Sequence, residues 1–333
     1  MATYKGINGF AVQSVASDPS PSDEGQVWYN NATYAFKLAA ATTAGTWASG
    51  GNLNTARYSL KGAGTQTAMY AAGGYDGTAP TGATENYNGT SWTSQTSMTT
   101  ARDASAAAGS QTAGLNFGGY TGTAITGATE KYNGSTWTSS PSLNTARSGL
   151  GGFGLQTAAL AVAGSTYPGP ITNVTESYNG SSWTSLPATS SSKYSMGSCG
   201  TLTAGLIFGG APATTPPAVT AETQSWNGSS WATVNSMNTA RSGVQGFGIQ
   251  TAAIGAGGDS ANDGSRVTTT ESWNGTSWTV ATSMATARYV GATGGTQASG
   301  IVAGGYPASP PSGNATEEWT GPGVPVTQTI TTS

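Results

Sequence analysis

The stretch ATENYNGTSWTSQTSMTTAR at residues 83–102 is followed by the closely similar ATEKYNGSTWTSSPSLNTAR at residues 128–147. Both copies hold a glutamate, a tyrosine, an Asn-Gly pair, a tryptophan and an arginine in the same order. An Asn-Gly pair between short stretches favours a β-hairpin, because both central residues of its tight turn need positive φ angles. A repeat of about 45 residues is typical of folds built from one recurring unit. The sequence therefore predicts an array of β-hairpin units.

Six such units follow one another along the chain. The glutamate recurs as Glu85, Glu130, Glu176, Glu222, Glu271 and Glu317. An aromatic residue follows it as Tyr87, Tyr132, Tyr178, Trp226, Trp273 and Trp319. A basic residue recurs as Arg57, Arg102, Arg147, Lys193, Arg241 and Arg288. We interpret the repeated acids and bases as inter-blade structural residues, which form ion pairs and hydrogen bonds between neighbouring units.

Each unit is expected to form four short strands, so that the units span about residues 57–98, 102–143, 147–189, 193–237, 241–284 and 288–319. The last unit ends at Trp319, before its second hairpin strand. The segment 45–53, with Trp47, matches that missing strand in the other units. We therefore expect residues 45–53 to complete the last unit and to remove an exposed sheet edge.

The ordered motif of di-glycine, Glu, aromatic, Trp and Arg resembles the kelch repeat of β-propellers over residues 45–319. This resemblance implies an all-β fold, a six-bladed β-propeller of four-stranded kelch-like blades over residues 45–320. It also implies that the N-terminal strand closes the last blade. A hexavalent lectin, with sugar sites between the blades as in six-bladed fucose lectins, is the alternative explanation of the repeated residues.

Residues 1–44 lack the repeat, and residues 321–333 form a short C-terminal tail. The sequence predicts a turn-rich linker at 18–26 and a hairpin at 27–39. The stretch DEGQVWYN at 23–30 resembles a module near the start of tailed-phage virion proteins, and the whole chain resembles kelch-like virion proteins of marine phages, including cyanophages.

That resemblance implies a non-enzymatic structural protein of the virion that is made in the host cytoplasm. Residues 1–44 and 320–333 would attach it, in several copies, to other virion proteins. A tail fibre or adhesin that recognises a host-surface glycan or receptor is the first expectation. The alternatives are a capsid decoration protein and a cytoplasmic kelch adaptor that binds a host protein.

Composition narrows the chemistry further. The 333 residues include no histidine and one cysteine, which excludes histidine-based catalysis and a zinc site of Cys and His ligands. Charged residues make up 8% and the net charge is −3, so we expect no nucleic-acid partner. No signal peptide and no apolar run of membrane-spanning length is present, so we expect no membrane insertion. We also expect no cofactor, no metal and no enzymatic activity.

The loops after the di-glycines vary most between units, and loops on a rigid scaffold often carry recognition. The candidate recognition residues on these loops are Tyr75, Asp76, Tyr120, Tyr167, Asp259, Asn262, Asp263, Arg266 and Tyr306. The loop from Asp259 begins like a calcium loop. However, Ala261 and Thr270 stand where such a loop has ligands, so a calcium site is disfavoured.

Overall fold

The computed structural model describes residues 12–18, 27–41, 44–212, 219–260, 265–307, 313–323 and 325–329. All regular elements in these ranges are β-strands. None of the described residues belongs to a helix that could cross a membrane. The predicted all-β fold class is confirmed for this part of the chain.

The chain divides into two compact units, Trp47–Trp319 and a smaller one made of Met1–Thr46 and Thr320–Ser333. The strands are β1 (Gln13–Val15), β2 (Val27–Asn30), β3 (Ala35–Ala41), β4 (Thr46–Gly50), β5 (Lys61–Thr65), β6 (Ala68–Ala72), β7 (Thr84–Tyr87), β8 (Trp92–Gln95), β9 (Ala106–Ser110), β10 (Ala113–Phe117), β11 (Thr129–Tyr132), β12 (Trp137–Ser140), β13 (Gly151–Leu155), β14 (Ala158–Ser165), β15 (Ile171–Tyr178) and β16 (Trp183–Leu186). They continue with β17 (Lys193–Tyr194), β18 (Gly197–Thr201), β19 (Ala204–Phe208), β20 (Ala211–Pro212), β21 (Thr223–Trp226), β22 (Trp231–Val234), β23 (Gln245–Ile249), β24 (Ala252–Ala256), β25 (Thr270–Trp273), β26 (Trp278–Ala281), β27 (Arg288–Tyr289), β28 (Ala292–Gly295), β29 (Ser299–Ala303), β30 (Tyr306–Pro307), β31 (Thr316–Thr320) and β32 (Pro325–Thr329).

The smaller unit contains one sheet with the strand order β1-β2-β3-β32. Strands β2 and β3 form an antiparallel hairpin, and β1 runs parallel to β2. Strand β32 pairs antiparallel with β3, so both ends of the chain contribute to one sheet. In the sequence analysis, residues 1–44 and 321–333 were separate segments. Most of the predicted linker, residues 19–26, lies outside the described residues.

The side chain of Asp18 fixes the start of the hairpin in this sheet. Its Oδ1 accepts hydrogen bonds from Asn30 Nδ2 at 2.6 Å and from Trp28 Nε1 at 2.9 Å. These two bonds lower the pKa of Asp18, and the bond from Asn30 has the larger effect. Trp28 is buried, so its indole N–H needs such a partner.

The larger unit contains six four-stranded sheets. Their strand orders are β5-β6-β7-β8, β9-β10-β11-β12, β13-β14-β15-β16, β18-β19-β21-β22, β23-β24-β25-β26 and β28-β29-β31-β4. Neighbouring strands in the first five sheets are antiparallel. The sixth sheet takes its fourth strand, β4, from the beginning of the unit.

The predicted Asn-Gly hairpins join the third and fourth strands of a sheet, but the predicted two-residue turn is wrong: Tyr87 pairs with Trp92, so four residues connect the strands, and within the Asn88-Gly89 pair only Gly89 has a positive φ. Between β7 and β8, Asn88 Oδ1 accepts the backbone N–H groups of Thr90 and Ser91 at 2.9 Å each. Gly89 has a φ of 95°, which a residue with a side chain rarely adopts. The short polar side chain and the glycine therefore form the turn without a partner from elsewhere.

Hydrophobic clusters fill the space between successive sheets. Leu115 and Phe117 of the second sheet, for example, pack with Trp183 of the third. Another cluster joins the sixth sheet to the first, because it contains Ile301 together with Trp92. Six such clusters lie among the described residues, one for each pair of successive sheets.

Tryptophan side chains of the fourth strands also bond across these spaces. Each indole N–H donates to a threonine Oγ1 of the preceding sheet, and the sixth sheet precedes the first. The bonds are Trp47 to Thr270 (3.2 Å), Trp92 to Thr316 (3.0 Å), Trp137 to Thr84 (2.9 Å), Trp183 to Thr129 (3.0 Å), Trp231 to Thr175 (3.1 Å) and Trp278 to Thr223 (3.0 Å). Four of these indoles are buried and those of Trp47 and Trp231 are partly buried, and all six thereby gain both packing and a hydrogen-bond partner.

A cycle of backbone hydrogen bonds connects the residues that lie two positions after the basic residues. Its bonds are Ser59 N to Val290 O (2.8 Å), Ala104 N to Ser59 O (2.9 Å), Gly149 N to Ala104 O (2.7 Å), Ser195 N to Gly149 O (2.7 Å), Gly243 N to Ser195 O (2.6 Å) and Val290 N to Gly243 O (3.0 Å). All six residues have φ angles between 47° and 62°. Val290 is β-branched and is strained in this left-handed conformation. The hydrogen bonds of the cycle therefore stabilise a backbone conformation that valine would otherwise rarely adopt.

Candidate functional site

Each repeated basic residue lies against a carboxylate of its own unit. The N–O distances are 2.8 Å for Arg57–Glu85, 3.2 Å for Arg102–Glu130, 3.0 Å for Arg147–Glu176, 3.3 Å for Lys193–Glu222, 3.1 Å for Arg241–Glu271 and 2.5 Å for Arg288–Glu317. The side chains of the five arginine pairs are at most 4% exposed. The ion pairs therefore lie within units, whereas the sequence interpretation had them between units.

The carboxylate of each arginine pair extends to the preceding unit through backbone bonds. Glu85 accepts the N–H of Asn54 at 2.7 Å and the N–H of Thr55 at 3.3 Å, and both residues lie in the segment after β4. Glu176 accepts the N–H groups of Asn144 and Thr145 in the same way. The glutamate thus also ties its unit to the segment that leads in from the preceding unit.

Three of the buried arginines keep their charge at neutral pH. Burial lowers the pKa of Arg102, Arg147 and Arg241 to about 10, because loss of water disfavours the charged form. The guanidinium groups are still protonated well above pH 7. With their oxygens already held by guanidinium and backbone donors, these carboxylates do not resemble a catalytic acid–base pair.

The fourth unit departs from the other five. Gln224, not Glu222, occupies the strand position that Glu271 occupies in the fifth unit, as the strand registers show. Glu222 lies two residues earlier and is 23% exposed. Desolvation raises its pKa, but the hydrogen bond from Ser191 and the charge of Lys193 outweigh desolvation and leave the pKa lowered.

At the start of each unit, the residue after the basic one pairs with the residue after the di-glycine. These pairs are Tyr58–Tyr75, Asp103–Tyr120, Ser148–Ser165, Tyr194–Ala211, Ser242–Asp259 and Tyr289–Tyr306. Aromatic residues fill both positions in the first and sixth units, and small or acidic residues fill both in the third and fifth. We call these twelve residues the variable face.

Four tyrosines of the variable face meet across the junction of the sixth and first units, and we call them the tyrosine cluster. Its members are Tyr58, Tyr75, Tyr289 and Tyr306. The ring centroids of Tyr58 and Tyr306 lie 4.6 Å apart with the planes at 90°, and those of Tyr58 and Tyr75 lie 5.3 Å apart. Tyr289 lies 5.9 Å from Tyr306. All four side chains are partly exposed, so the cluster presents aromatic surface to solvent.

Arg266 of the fifth unit lies over this cluster. Its guanidinium carbon is 4.2 Å from the ring centre of Tyr306 and 5.4 Å from that of Tyr289, which is the geometry of a cation–π contact. Its Nε is buried and has no hydrogen-bond partner among the described residues. The cluster therefore combines aromatic faces, a cation and a donor that is still unused.

Two hydroxyl groups of the cluster, those of Tyr58 and Tyr289, resist ionisation more than an exposed phenol. Desolvation, followed by the neighbouring tyrosines, raises the pKa of Tyr58 to about 12. Desolvation also raises the pKa of Tyr289. A protonated phenol can both donate and accept a hydrogen bond, and this property suits the recognition of neutral hydroxyl groups.

The structure brings three of the predicted recognition residues, Tyr75, Arg266 and Tyr306, into or against the cluster. Tyr58 and Tyr289 were missed. Their signal was present in the sequence, because each directly follows the basic residue of its unit. Tyr58, however, contacts Tyr306 from the opposite end of the repeat array, and only the folded chain brings these two residues together.

The remaining predicted residues do not join this cluster. Tyr167 is 73% exposed, and the hydroxyl of Tyr120 donates to the carbonyl of Gly122 at 2.8 Å. Asp76 accepts the N–H groups of Thr78 and Ala79 in its own turn. Asp259 is 6% exposed and pairs through its backbone with Ser242 and Arg266. Asn262 and Asp263 lie outside the described residues.

No group of three or more acidic or cysteine side chains that could hold a metal occurs where the structure describes the chain. Cys199 is buried as a free thiol, and desolvation raises its pKa to about 12. A buried, protonated thiol is not a nucleophile.

The fold is similar to that of solved structures. The protein YjhT, a kelch-like β-propeller, has 14% sequence identity and a TM-score of 0.67 over 80% of this chain and 96% of its own. No model of a known protein family matches the sequence, and no curated protein matches it. The structural likeness establishes a kelch-like β-propeller fold.

Proposed function

We propose that residues 47–319 form a closed six-bladed propeller whose last blade takes its outer strand from the N-terminal side. Three cyclic sets of contacts support this proposal: the inter-sheet clusters, the Trp–Thr bonds and the backbone cycle. Each set includes a link from the sixth unit to the first. A closed propeller has no long exposed sheet edge and gives a rigid base for variable loops.

The propeller acts as a non-enzymatic recognition module, and the tyrosine cluster is its binding site. The single observation that carries this proposal is the meeting of four partly exposed tyrosines with Arg266 on one face. Aromatic faces stack on the apolar faces of sugar rings, while phenol and guanidinium groups bond to hydroxyls. A host-surface glycan is therefore the proposed ligand class.

A hexavalent lectin with six equivalent sites between blades is less well supported. Such sites would use the repeated arginine, glutamate and tryptophan side chains. The arginine pairs are at most 4% exposed and are engaged with each other. The variable face has tyrosine pairs in the first and sixth units and in none of the other four, which favours one asymmetric site over six equal ones.

Residues 1–44 and 320–333 attach the protein to other virion proteins, and the virion is the proposed location. The sequence resemblance to phage virion proteins supports this assignment. The pairing of β3 with β32 adds that both chain ends contribute to one sheet. A tail fibre or adhesin is the preferred assignment, and a capsid decoration protein and a cytoplasmic adaptor are the alternatives.

Glycan-array binding of the purified chain tests the recognition proposal. Tyr75→Ala combined with Tyr306→Ala should abolish binding to any glycan that the unchanged protein binds. Tyr167→Ala, which removes a tyrosine outside the cluster, is the matched control and should bind normally. Equal binding by the double variant, or no glycan bound by the unchanged protein, would overturn the proposal.

Gold-labelled antibody microscopy of intact particles tests the location. Label at the tail supports the adhesin assignment, and label on the capsid makes the protein a decoration protein instead. If intact particles carry no label and the protein is also undetectable in extracts of the denatured particles, the cytoplasmic adaptor is favoured.

A further inference from the structure

A cavity of about 40 Å³ lies between the innermost strands of the six sheets. All six units contribute to its wall, which includes Lys61, Ala107, Gly152, Ser198, Gln245 and Thr293. By a comparable measure one water needs roughly 10–15 Å³. The cavity therefore has room for about three waters or one small ion, and a sugar ring does not fit.

A second, smaller cavity shares Lys61 and Met196 with the first. Lys61 carries the only formal charge in the walls of these two cavities. Its ammonium group has no hydrogen bond or ion pair with any residue that the structure describes. The equivalent strand positions in the other units hold Ala106, Gly151, Gly197, Gln245 and Ala292. Desolvation lowers the pKa of Lys61 to about 8, so the amine is still mostly protonated at neutral pH. The Lys61 side chain is partly buried, and a cation that has lost part of its hydration is stabilised by a nearby counter-charge.

Gln245 supplies a second polar group without a partner. The residue is 2% exposed, and neither its Oε1 nor its Nε2 has a hydrogen-bond partner among the described residues. The two hydroxyls in the wall are already engaged: Ser198 donates to Gly152 at 3.2 Å and Thr293 donates to Gly246 at 2.8 Å. Buried polar groups of this kind normally have a partner.

The unused donors of the cavity are thus the ammonium group of Lys61 and the amide N–H₂ of Gln245. An anion accepts hydrogen bonds from both, balances the lysine charge and fits the available volume. Anions with more than about three non-hydrogen atoms, such as sulfate, exceed a space of about three waters. We propose that Lys61 and Gln245 bind a small monovalent inorganic anion such as chloride in this cavity.

Crystals of the full chain grown in sodium bromide test this proposal directly. We expect an anomalous difference peak at the bromide absorption edge inside the cavity, within about 3.5 Å of Lys61 Nζ and Gln245 Nε2. A cavity that contains only water, with no bromide peak, would overturn the proposal. The experiment needs no variant, so its result does not depend on a mutant that folds.

Thermal unfolding supplies a second measurement. At constant ionic strength, replacing gluconate, which is too large for the cavity, with chloride at ten times its Kd should raise the Tm by about 2 °C. Lys61→Met should abolish this shift. Lys131→Met, which removes a lysine outside the cavity, should retain it. Equal shifts in both variants would mean that chloride acts elsewhere, and no shift in the unchanged protein would contradict the site.

Discussion

The interior of the propeller and its variable face differ in how far equivalent positions keep the same residues from unit to unit. In the interior, the Trp–Thr bonds recur in all six units with distances between 2.9 and 3.2 Å. On the variable face, equivalent positions hold tyrosine pairs in two units and small or acidic residues in two others. Contacts that hold the array together are constrained in every unit, whereas positions on the face are free to diverge and can serve recognition.

The fourth unit shows what the interior requires. Gln224 donates to Glu222 at 2.8 Å and to Ser191 at 3.0 Å, and it accepts the N–H of Ser190 at 3.1 Å. In the other units, a glutamate at this position accepts backbone N–H groups of the segment before the unit. The bonds of Gln224 take the place of those bonds. The constraint is therefore that buried polar groups find partners, and the residue that supplies them can change.

Deletion of residues 45–53 should break the interior most severely. It removes Trp47, which bonds to Thr270 and lies 5.3 Å from the ring of Trp319, and it removes Leu53 from the core. Losing the buried Leu53 and the partly buried Trp47 should cost about 5–10 kcal/mol, which is most or all of a domain's stability. Circular dichroism melts and size-exclusion chromatography should show loss of cooperative unfolding and aggregation.

A change of similar size on the loops gives the matched control. Strands β14 and β15 are still paired at Ser165 and Ile171, so residues 166–170 can be replaced with Asn-Gly as a two-residue turn. This variant should unfold at nearly the wild-type temperature. If the deletion of 45–53 were equally stable and soluble, the N-terminal strand would not close the last blade.

Arg147→Met should lower the free energy of unfolding by about 3–5 kcal/mol, because it leaves the buried carboxylate of Glu176 without its counter-charge. Lys193→Met should cost less, about 1–2 kcal/mol, because Glu222 is 23% exposed and can be hydrated. Urea titrations of both variants measure the difference. Equal losses would mean that burial of the carboxylate does not set the size of the effect.

The sequence predicted most of the interior from residue types alone. The Asn-Gly turns, the unit period and the placement of Trp47 depend on local chemistry that a repeat displays many times. The threonine partners of the tryptophans were missed, because a threonine among many has no distinguishing signal. Glu222 was assigned by residue type rather than by register. Gln224 shows that the hydrogen-bonding role can move to a different residue.

The candidate site was predicted less completely. Tyr75 and Tyr306 were identified from the variable loops, but Tyr58 and Tyr289 lie at the start of their units, next to residues that were assigned to structure. Their meeting depends on contact between the sixth unit and the first. The repeat pattern predicted that contact in general terms, without showing which side chains it would bring together.

Tyr306→Ala should destabilise the propeller by only about 1 kcal/mol, the value of an aromatic pair, because the side chain is partly exposed. Tyr167→Ala should change stability by less than about 0.5 kcal/mol. Denaturant titrations and glycan binding, measured on the same samples, would separate the two effects. A loss as large as that of Arg147→Met would place Tyr306 with the interior rather than with the recognition face.

Asp103→Asn should give an effect whose sign is opposite to that of removing a stabilising charge. Desolvation on the variable face raises the pKa of Asp103 to about 6, above its unfolded value of about 4. The folded state therefore binds more protons between these pH values, and the free energy of unfolding falls as pH rises through this window. The variant should thus be more stable relative to wild type at pH 7 than at pH 4.

Asp76→Asn is the control of opposite sign for that measurement. The backbone N–H groups of Ala79 and Thr78 lower the pKa of Asp76, so its contribution to stability is present above the unfolded pKa and is lost as pH falls. Its variant should be less stable relative to wild type at pH 7 than at pH 4. Tm values at both pH values decide between the two cases. If the stability of both variants relative to wild type changed in the same direction between pH 4 and pH 7, burial of Asp103 would not destabilise the folded state. The contrast between a stabilising interior and a functional face would then fail at this position.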